Sequence, residues 1–480
     1  MKFDFAVIGS GAGGALAAHG LQAAGVKTLI IEKGPPAPHG LDEMTIVTRY
    51  YRDQGFSATV GNTFIGLPTG EMVGGTTKIN SGTCFDTPLS VVQQWERTLN
   101  IPLSHEELIP YFQKLKSLLS IQEVPEERVS QGNKLFVRGL QALGFHQHFR
   151  LRRNAKYCVG SGRCCFVCPK EAKQSTDVAV VPTFLKNGGT LFSDTEVVGI
   201  TEERDRVVLR CKKNGDQKNG SREEKIECSG LIIAAGALAT PVLVKKNKIG
   251  NMWKRAGRGL SIHPATKVLA QFSEFVRGWQ GVPQAVGFKH PDFPKLSFEG
   301  VFTPPQLAGM VLPVEGPQLD EWLNQYEQVA SFGVLVKDTN RGRVHSWPGM
   351  DTLVTYNLHP EDFSDLREGA RFIGLAYLAA GAKKVLLPFN GVQNEFSSPE
   401  KLKRYDFSQM KPSQLYSMGF HPLGTCAMGM VVDHHLKVQG SQRIFIADGS
   451  VVPSSLGVNP QITIMALAMR LADDVVKQLS

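Results

Sequence analysis

The chain has 480 residues, of which 42% are apolar and 8% aromatic, enough to bury a large core and to build two domains. Its net charge of +9 comes from lysines and arginines scattered along the sequence, not gathered into an aromatic-interleaved stripe. That argues against nucleic-acid binding and leaves steering of an acidic partner as a use for the charge.

No charge-free apolar run of about 18 residues is present to span a bilayer. No secretion signal precedes the first strand, so the chain reads as cytoplasmic by default, with export or membrane tethering through a partner subunit left open.

The first element is a short apolar strand, Phe5-Ala6-Val7-Ile8, followed by glycines at 9, 11 and 14 and by a helix rich in alanine and leucine. A second strand from Lys27 to Ile31 ends at Glu32. Strand, glycines, helix, strand and acid in this register make a dinucleotide cradle. Gly9 permits a tight turn, Gly11 admits the pyrophosphate to the helix N-terminus, Gly14 lets helix approach strand, and Glu32 meets the adenosine ribose. Residues 35 to 70 read as an excursion that covers the cofactor. Glu106 to Phe112 opens an amphipathic helix with carboxylates at its positive end.

Further on, 206–211 and 225–234 read as strands joined by an exposed polar hairpin loop at 212–225. The second ends in the apolar run Leu231 to Gly236, and a third such strand, Ile444 to Ala447, runs into Asp448-Gly449-Ser450. A chain that returns to its first domain after so long an excursion buries an extended ligand between distant segments, which favours FAD over NAD. From 265 to 400 the pattern changes to short strands, prolines and helices, as in an antiparallel sheet roofing a flavin.

These segments resemble the glucose-methanol-choline (GMC) family of flavoprotein oxidoreductases over nearly the whole chain. The likeness is carried in order by Gly70 to Asn80, by Gly236 to Pro241, by Gly257-Arg258-Gly259-Leu260 with His263-Pro264, and by Ala379 to Ala382. It closes with His421 to Thr425, Ala447 to Ser450 and Gly457-Val458-Asn459-Pro460. It implies an α/β fold: a Rossmann-like FAD-binding domain over 1–264, an inserted α+β substrate-binding domain with an antiparallel sheet over 265–400, and a return to the first domain over 401–480. It also implies flavin contacts from Asn80 near the ring, Val197 near the adenine, and Asp448 with Gly449 near the phosphates and ribityl chain. Gly75, Ala235 and Pro460 complete that set.

Oxidising an alcohol by hydride transfer to flavin needs a base for the hydroxyl proton and a polar group that fixes the oxygen. By resemblance, His421 is the active-site base and Asn459 its partner. His263, before a proline at the domain junction, reads as structural. His434 and His435 read as surface residues, and Cys84 as either a buried small side chain or a neighbour of the flavin.

Four of the eight cysteines fall between Cys158 and Cys168, with glycines and a closing Cys168-Pro169. In a chain without a secretion signal, such clustering argues for metal or redox chemistry, with zinc, a disulfide and plain buried thiols as alternatives. The spacing C-x5-C-x3-C-P is similar to that of the flavin subunits of bacterial glucose and fructose dehydrogenases, which implies a three-iron (3Fe-4S) iron-sulfur cluster on Cys158, Cys164 and Cys168. Ala172-Lys173-Gln174-Ser175 echoes long-chain alcohol oxidoreductases of the same family, for which a cluster is not assumed. The expectation is therefore an FAD-dependent dehydrogenase for a CH-OH group of an alcohol, polyol, sugar or sterol. It passes electrons through the cluster to an external acceptor protein or quinone. An oxygen-using oxidase and a flavin and iron-sulfur electron-transfer subunit stand as alternatives.

Overall fold

The computed structural model describes residues 1–213, 223–347 and 350–479, so most of the polar connection at 212–225 lies outside the described residues. Strands Lys2–Ile8, Thr28–Ile31 and the far half of Glu224–Ile233 run parallel with Lys2–Ile8 in the middle. Thr190–Phe192 extends one edge and Ile444–Ile446 the other, both in parallel. Leu231, Ile232 and Ile233 are fully buried, as a strand covered on both faces requires. The near half of Glu224–Ile233 continues antiparallel into Val207–Lys213 and then Thr195–Glu202.

Helix Ala12–Ala23 covers this sheet and packs along the C-terminal helix Gln461–Leu479. The two helices approach so closely that a Cβ at position 20 would come within 2.7 Å of the Ala472 Cβ. The carboxylates near residue 106 do open a helix, His105–Leu118, where Ser104 and Glu107 cap each other.

The second sheet is antiparallel around Pro264–Gln271, which pairs with Val329–Val336 on one side and Lys384–Leu386 on the other. Leu296–Gly300 and Val286–Phe288 follow outward. Strands from outside 265–400 complete it: His148–Arg150 at one end, and Ser417–Gly419 beside Pro264 and Ala265. Alternation along each strand sorts the side chains by face. Phe298 joins Phe288 and Phe372 in an aromatic cluster under helix Pro360–Ala379, whereas its neighbours Ser297 and Glu299 face the space between the two sheets. In the same way Phe332 is fully buried and stacks on Phe136 with ring centroids 3.7 Å apart.

Deleting that ring leaves a cavity under the cap. Phe332→Ala should cost about 3–5 kcal/mol of stability, read from the shift in a denaturant unfolding midpoint.

Candidate active site

A cavity of about 900 Å³ runs from the N-terminal glycines to the underside of the antiparallel sheet. Gly9 has φ of +101°, and a Cβ there would lie 2.3 Å from the Ala234 carbonyl oxygen; one on Gly14 would lie 2.0 Å from the Gly9 oxygen. Gly9 therefore makes the turn and Gly14 packs behind it, away from the cavity. Gly11 differs, because nothing lies within 4 Å of a Cβ built on it, and it faces the cavity as the N-cap of a helix with no side-chain cap. Open space over free helical N–H groups is what a pyrophosphate needs, so the cradle fits a dinucleotide.

Glu32 lines the cavity and accepts from the Ser10 backbone N–H at 2.9 Å, its hydroxyl at 2.7 Å and the Gly34 N–H at 3.0 Å. Burial raises its carboxyl above the ordinary range against those bonds. Asp448 accepts from the Gly236 N–H at 2.9 Å, the Thr240 hydroxyl at 2.5 Å and the Ser450 N–H at 2.8 Å. Gly75, Asn80, Val197, Ala235, Gly449 and Pro460 all line the same cavity.

His421 and Asn459 reach the cavity from the other end, with His421 Nε2 3.4 Å from Asn459 Nδ2. His421 Nδ1 lies 3.0 Å from Nδ1 of His263, and His263 Nε2 accepts from the backbone N–H groups of Leu456 and Gly457, both at 3.0 Å. His263 is fully buried in the left-handed region at φ +49°. Asp338 holds that corner, accepting from the Ile262 N–H at 2.9 Å and the Ser455 hydroxyl at 2.6 Å. Burial and then Lys337 push His263 down to about 3, and burial with His263 beside it holds His421 well below the usual histidine range. Both rings are neutral.

Sequence reading missed two features here. His263 touches His421, which its place before Pro264 gave no means of foreseeing. Glu299 lies on the cavity wall, buried, with Oε2 accepting from the Gln284 amide and with the Asn459 amide beside it. Burial raises its carboxyl to about 7 despite Gln284, Lys289 and Asn459 nearby. A lone acid in the apolar run Leu296-Ser297-Phe298-Glu299 was the available signal. Cys84 is buried beside Gln461, whose amide reaches its sulfur at 3.3 Å, and Gln461 also accepts from Asn80.

The cysteine loop lies between two cavities. Cys165 lines the main one, and its carbonyl accepts from the Tyr51 hydroxyl at 2.7 Å. Cys158, Cys164 and Cys168 open onto a second cavity of about 270 Å³, together with Arg153 and Lys173, both buried. Lys173 Nζ donates to the carbonyls of Asn80 and Cys164, both at 2.7 Å, and so ties the loop to the flavin wall. Burial brings Lys173 down to about 8 and raises the Cys158 and Cys165 thiols, the latter to about 11. All eight cysteines are free, and among the described residues no three of His, Cys, Asp or Glu are placed to hold a metal ion. As they stand, the three thiols do not form the ligand set expected for a three-iron cluster, and no step is derived through one. Among the described residues no helix is long and apolar enough to cross a membrane.

A parallel sheet with a glycine cradle, covered by an antiparallel cap, defines an FAD-binding oxidoreductase. Residues 4–39 match the FAD binding domain, and 47–265 and 339–468 match the two parts of the GMC oxidoreductase family. A GMC-type oxidoreductase of Mycobacterium tuberculosis is 31% identical across 100% of this chain and 76% of its own length. The chain belongs to the GMC oxidoreductase family. It is also 25% identical, over 100% of its length and 68% of the relative's, to a protein of Arabidopsis thaliana named as a long-chain-alcohol oxidase. Pyridoxine 4-oxidase from Mesorbium loti shares the fold with a TM-score of 0.71 at 19% identity, covering 98% of this chain and 99% of that one. A variant of Aspergillus oryzae formate oxidase gives 0.73 at 15%, covering 100% and 98%.

Two substitutions test the cradle. Gly11→Val fills the open space over the helix N-terminus, and Asp448→Ala releases Gly236, Thr240 and Ser450 together. Both should lower the flavin-to-protein ratio of purified protein, measured at the flavin absorption maximum, and full occupancy in both would undo the assignment.

Proposed function

We propose that the protein oxidises a CH-OH group of an apolar alcohol. The observation that carries this reading is that His421 and Asn459, 3.4 Å apart, project into the same cavity as the dinucleotide cradle. When bound, FAD takes up the electron pair of the alcohol C–H bond. The chain's own contribution is to fix the hydroxyl oxygen between the imidazole and the amide, and to aim the carbon hydrogen while the cap sheet keeps water away.

The substrate class follows from the walls. Phe56, Phe64, Met310 and Phe420 line the cavity yet are 43–71% exposed, so they form an apolar mouth through which a hydrocarbon tail can run. Polyols and sugars would leave their hydroxyls unpaired against these side chains. The name of the Arabidopsis relative, a long-chain-alcohol oxidase, supports the same class, and with the two oxidase structures it supports oxygen as electron acceptor.

A second reading keeps the cysteine loop as an exit for electrons to a protein or quinone acceptor through an iron-sulfur cluster. Its support is that Cys158, Cys164 and Cys168 open onto one cavity with Arg153 and Lys173. Iron and acid-labile sulfide in protein prepared without oxygen would carry it, and their absence would leave the loop structural.

Anaerobic mixing with an alcohol panel should bleach the flavin fastest with long-chain alcohols, and admission of air should then yield peroxide. His421→Ala and Asn459→Ala should keep FAD bound and lose about 10²–10⁴-fold in flavin reduction. Wild-type reduction in both would remove the pair from the reaction.

A further inference from the structure

Beside the two large sheets the chain folds a small four-stranded one, in the order Arg258–Leu260, Gly342–Trp347, Met350–Thr355 and Thr59–Val60. Its register sorts the side chains by face. Val344, Val354 and Thr59 lie opposite one another and are all buried, and Thr352, on the same side of its strand as Val354, lines the main cavity. The other face carries a second row, Arg258, Arg343, Thr355 and Val60, with both arginines exposed and Val60 60% exposed. Two like charges directly opposite each other weaken a strand pair. Neither guanidinium has a hydrogen bond or ion pair to offset this among the described residues. A third cation, Lys245, lies near both, with Nζ donating to the Val344 carbonyl at 3.1 Å.

The apolar end of this row runs into the mouth of the cavity. Val60 stands where the chain turns back from Ala58 to pair with Gly66, and Phe56 and Phe64 flank that turn, both lining the cavity and both more than two-thirds exposed. Asp53 at this rim is engaged by the Ser57 hydroxyl at 2.5 Å. Three strand spacings put the Arg258 backbone roughly 15 Å from Val60, so cations and aromatic rim share one continuous surface. We infer that this face rests on an anionic phospholipid bilayer, with Arg258 and Arg343 on the headgroup phosphates and Phe56, Val60 and Phe64 in the interface. An alcohol then enters the cavity from the lipid. The docking stands on the surface alone, whereas the delivery rests on the cavity being an alcohol-oxidising site.

A bilayer answers both halves of the surface. An acidic protein would match the arginines but not the exposed aromatic side chains, and seated across the mouth it would close the path to the cavity. Lipid takes cations at its headgroups and apolar side chains just below them, and it leaves a hydrocarbon tail a dry route inward. The gain grows with the tail, because each methylene disfavours passage through water by about fourfold. Docking at the mouth removes that passage.

Sedimentation of the FAD-loaded chain with vesicles, without substrate, tests the docking. The protein should bind vesicles of phosphatidylcholine and phosphatidylserine in equal parts, bind pure phosphatidylcholine far more weakly, and come off the anionic vesicles as salt is raised. Arg258→Gln with Arg343→Gln should weaken that binding about 30-fold, since each cation contributes about fivefold at an anionic surface. Phe56→Ser with Phe64→Ser should weaken it about 10-fold or more, at high salt as at low. The arginine pair should keep FAD and reduce it at the wild-type rate with a short, water-soluble alcohol, but more slowly with a long-chain alcohol held in the anionic vesicles. Binding to neither vesicle, or binding that both pairs of substitutions leave unchanged, would overturn the docking. Arginine-dependent retention on poly-glutamate without vesicle binding would replace the lipid by an acidic protein. Equal rates of wild type and arginine variant on the vesicle-held alcohol would overturn the delivery. Vesicle binding by a protein whose flavin no alcohol reduces would sink the reading of the cavity and leave the docking in place.

Discussion

One buried carboxylate joins segments that the sequence holds more than two hundred residues apart. Asp448 receives N–H groups from Gly236 and Ser450 and the hydroxyl of Thr240, all within 2.9 Å, at the ends of the neighbouring strands Glu224–Ile233 and Ile444–Ile446. Each of those donors would be orphaned in a dry interior without it. The C-terminal return of the chain depends on this knot. With it comes helix Gln461–Leu479, packed on the first helix, and the turn at Gly457-Val458-Asn459 that brings Asn459 to the cavity. The strand ends beside the glycine cradle and the turn carrying Asn459 are thus tied by one constraint, so a change at Asp448 reaches beyond its own hydrogen bonds.

The second sheet is pinned to the first by an equally dense corner. His263 sits at φ +49°, a conformation costly for a residue with a Cβ, and it is held there by hydrogen bonds to its ring and to the backbone around it. Asp338 receives the Ile262 N–H, the Ser455 hydroxyl and, at 3.1 Å, the Tyr356 hydroxyl. The His263 ring then spans from the Leu456 and Gly457 N–H groups to His421. Cap, C-terminal turn and His421 meet at a single side chain, which couples the position of His421 to the docking of the two sheets.

The parts of this arrangement legible in the sequence are those written locally. Gly9, Gly11, Gly14 and Glu32 lie within one strand-helix-strand unit, so spacing alone forecasts the cradle, and Leu231 to Ala235 announces a buried strand by its unbroken apolar run. His421 and Asn459 were found through resemblance, since nothing in their local composition marks them. What escaped was set by register between distant strands. Glu299 faces the cavity because Leu296–Gly300 pairs with Val329–Val336 in one register, and a slip of one residue would have put Phe298 there instead. The contact between His263 and His421 spans 158 residues of sequence and is likewise invisible to spacing. The cysteine loop is a different case: its spacing suggests a cluster, and Cys158, Cys164 and Cys168 do share one cavity, but they are not placed to hold a metal ion.

The distribution of buried ionisable groups tells structure from chemistry. Glu32, Asp448 and Asp338 each accept at least three hydrogen bonds, and any of them can be understood as an organiser of backbone. Glu299 is different: it is held by side chains alone, Gln284 and Asn459, with Lys289 the nearby cation. A glutamine would meet the same hydrogen-bonding need at far lower desolvation cost. What the carboxyl adds, and a glutamine cannot, is the capacity to gain and lose a proton near neutral pH inside the cavity.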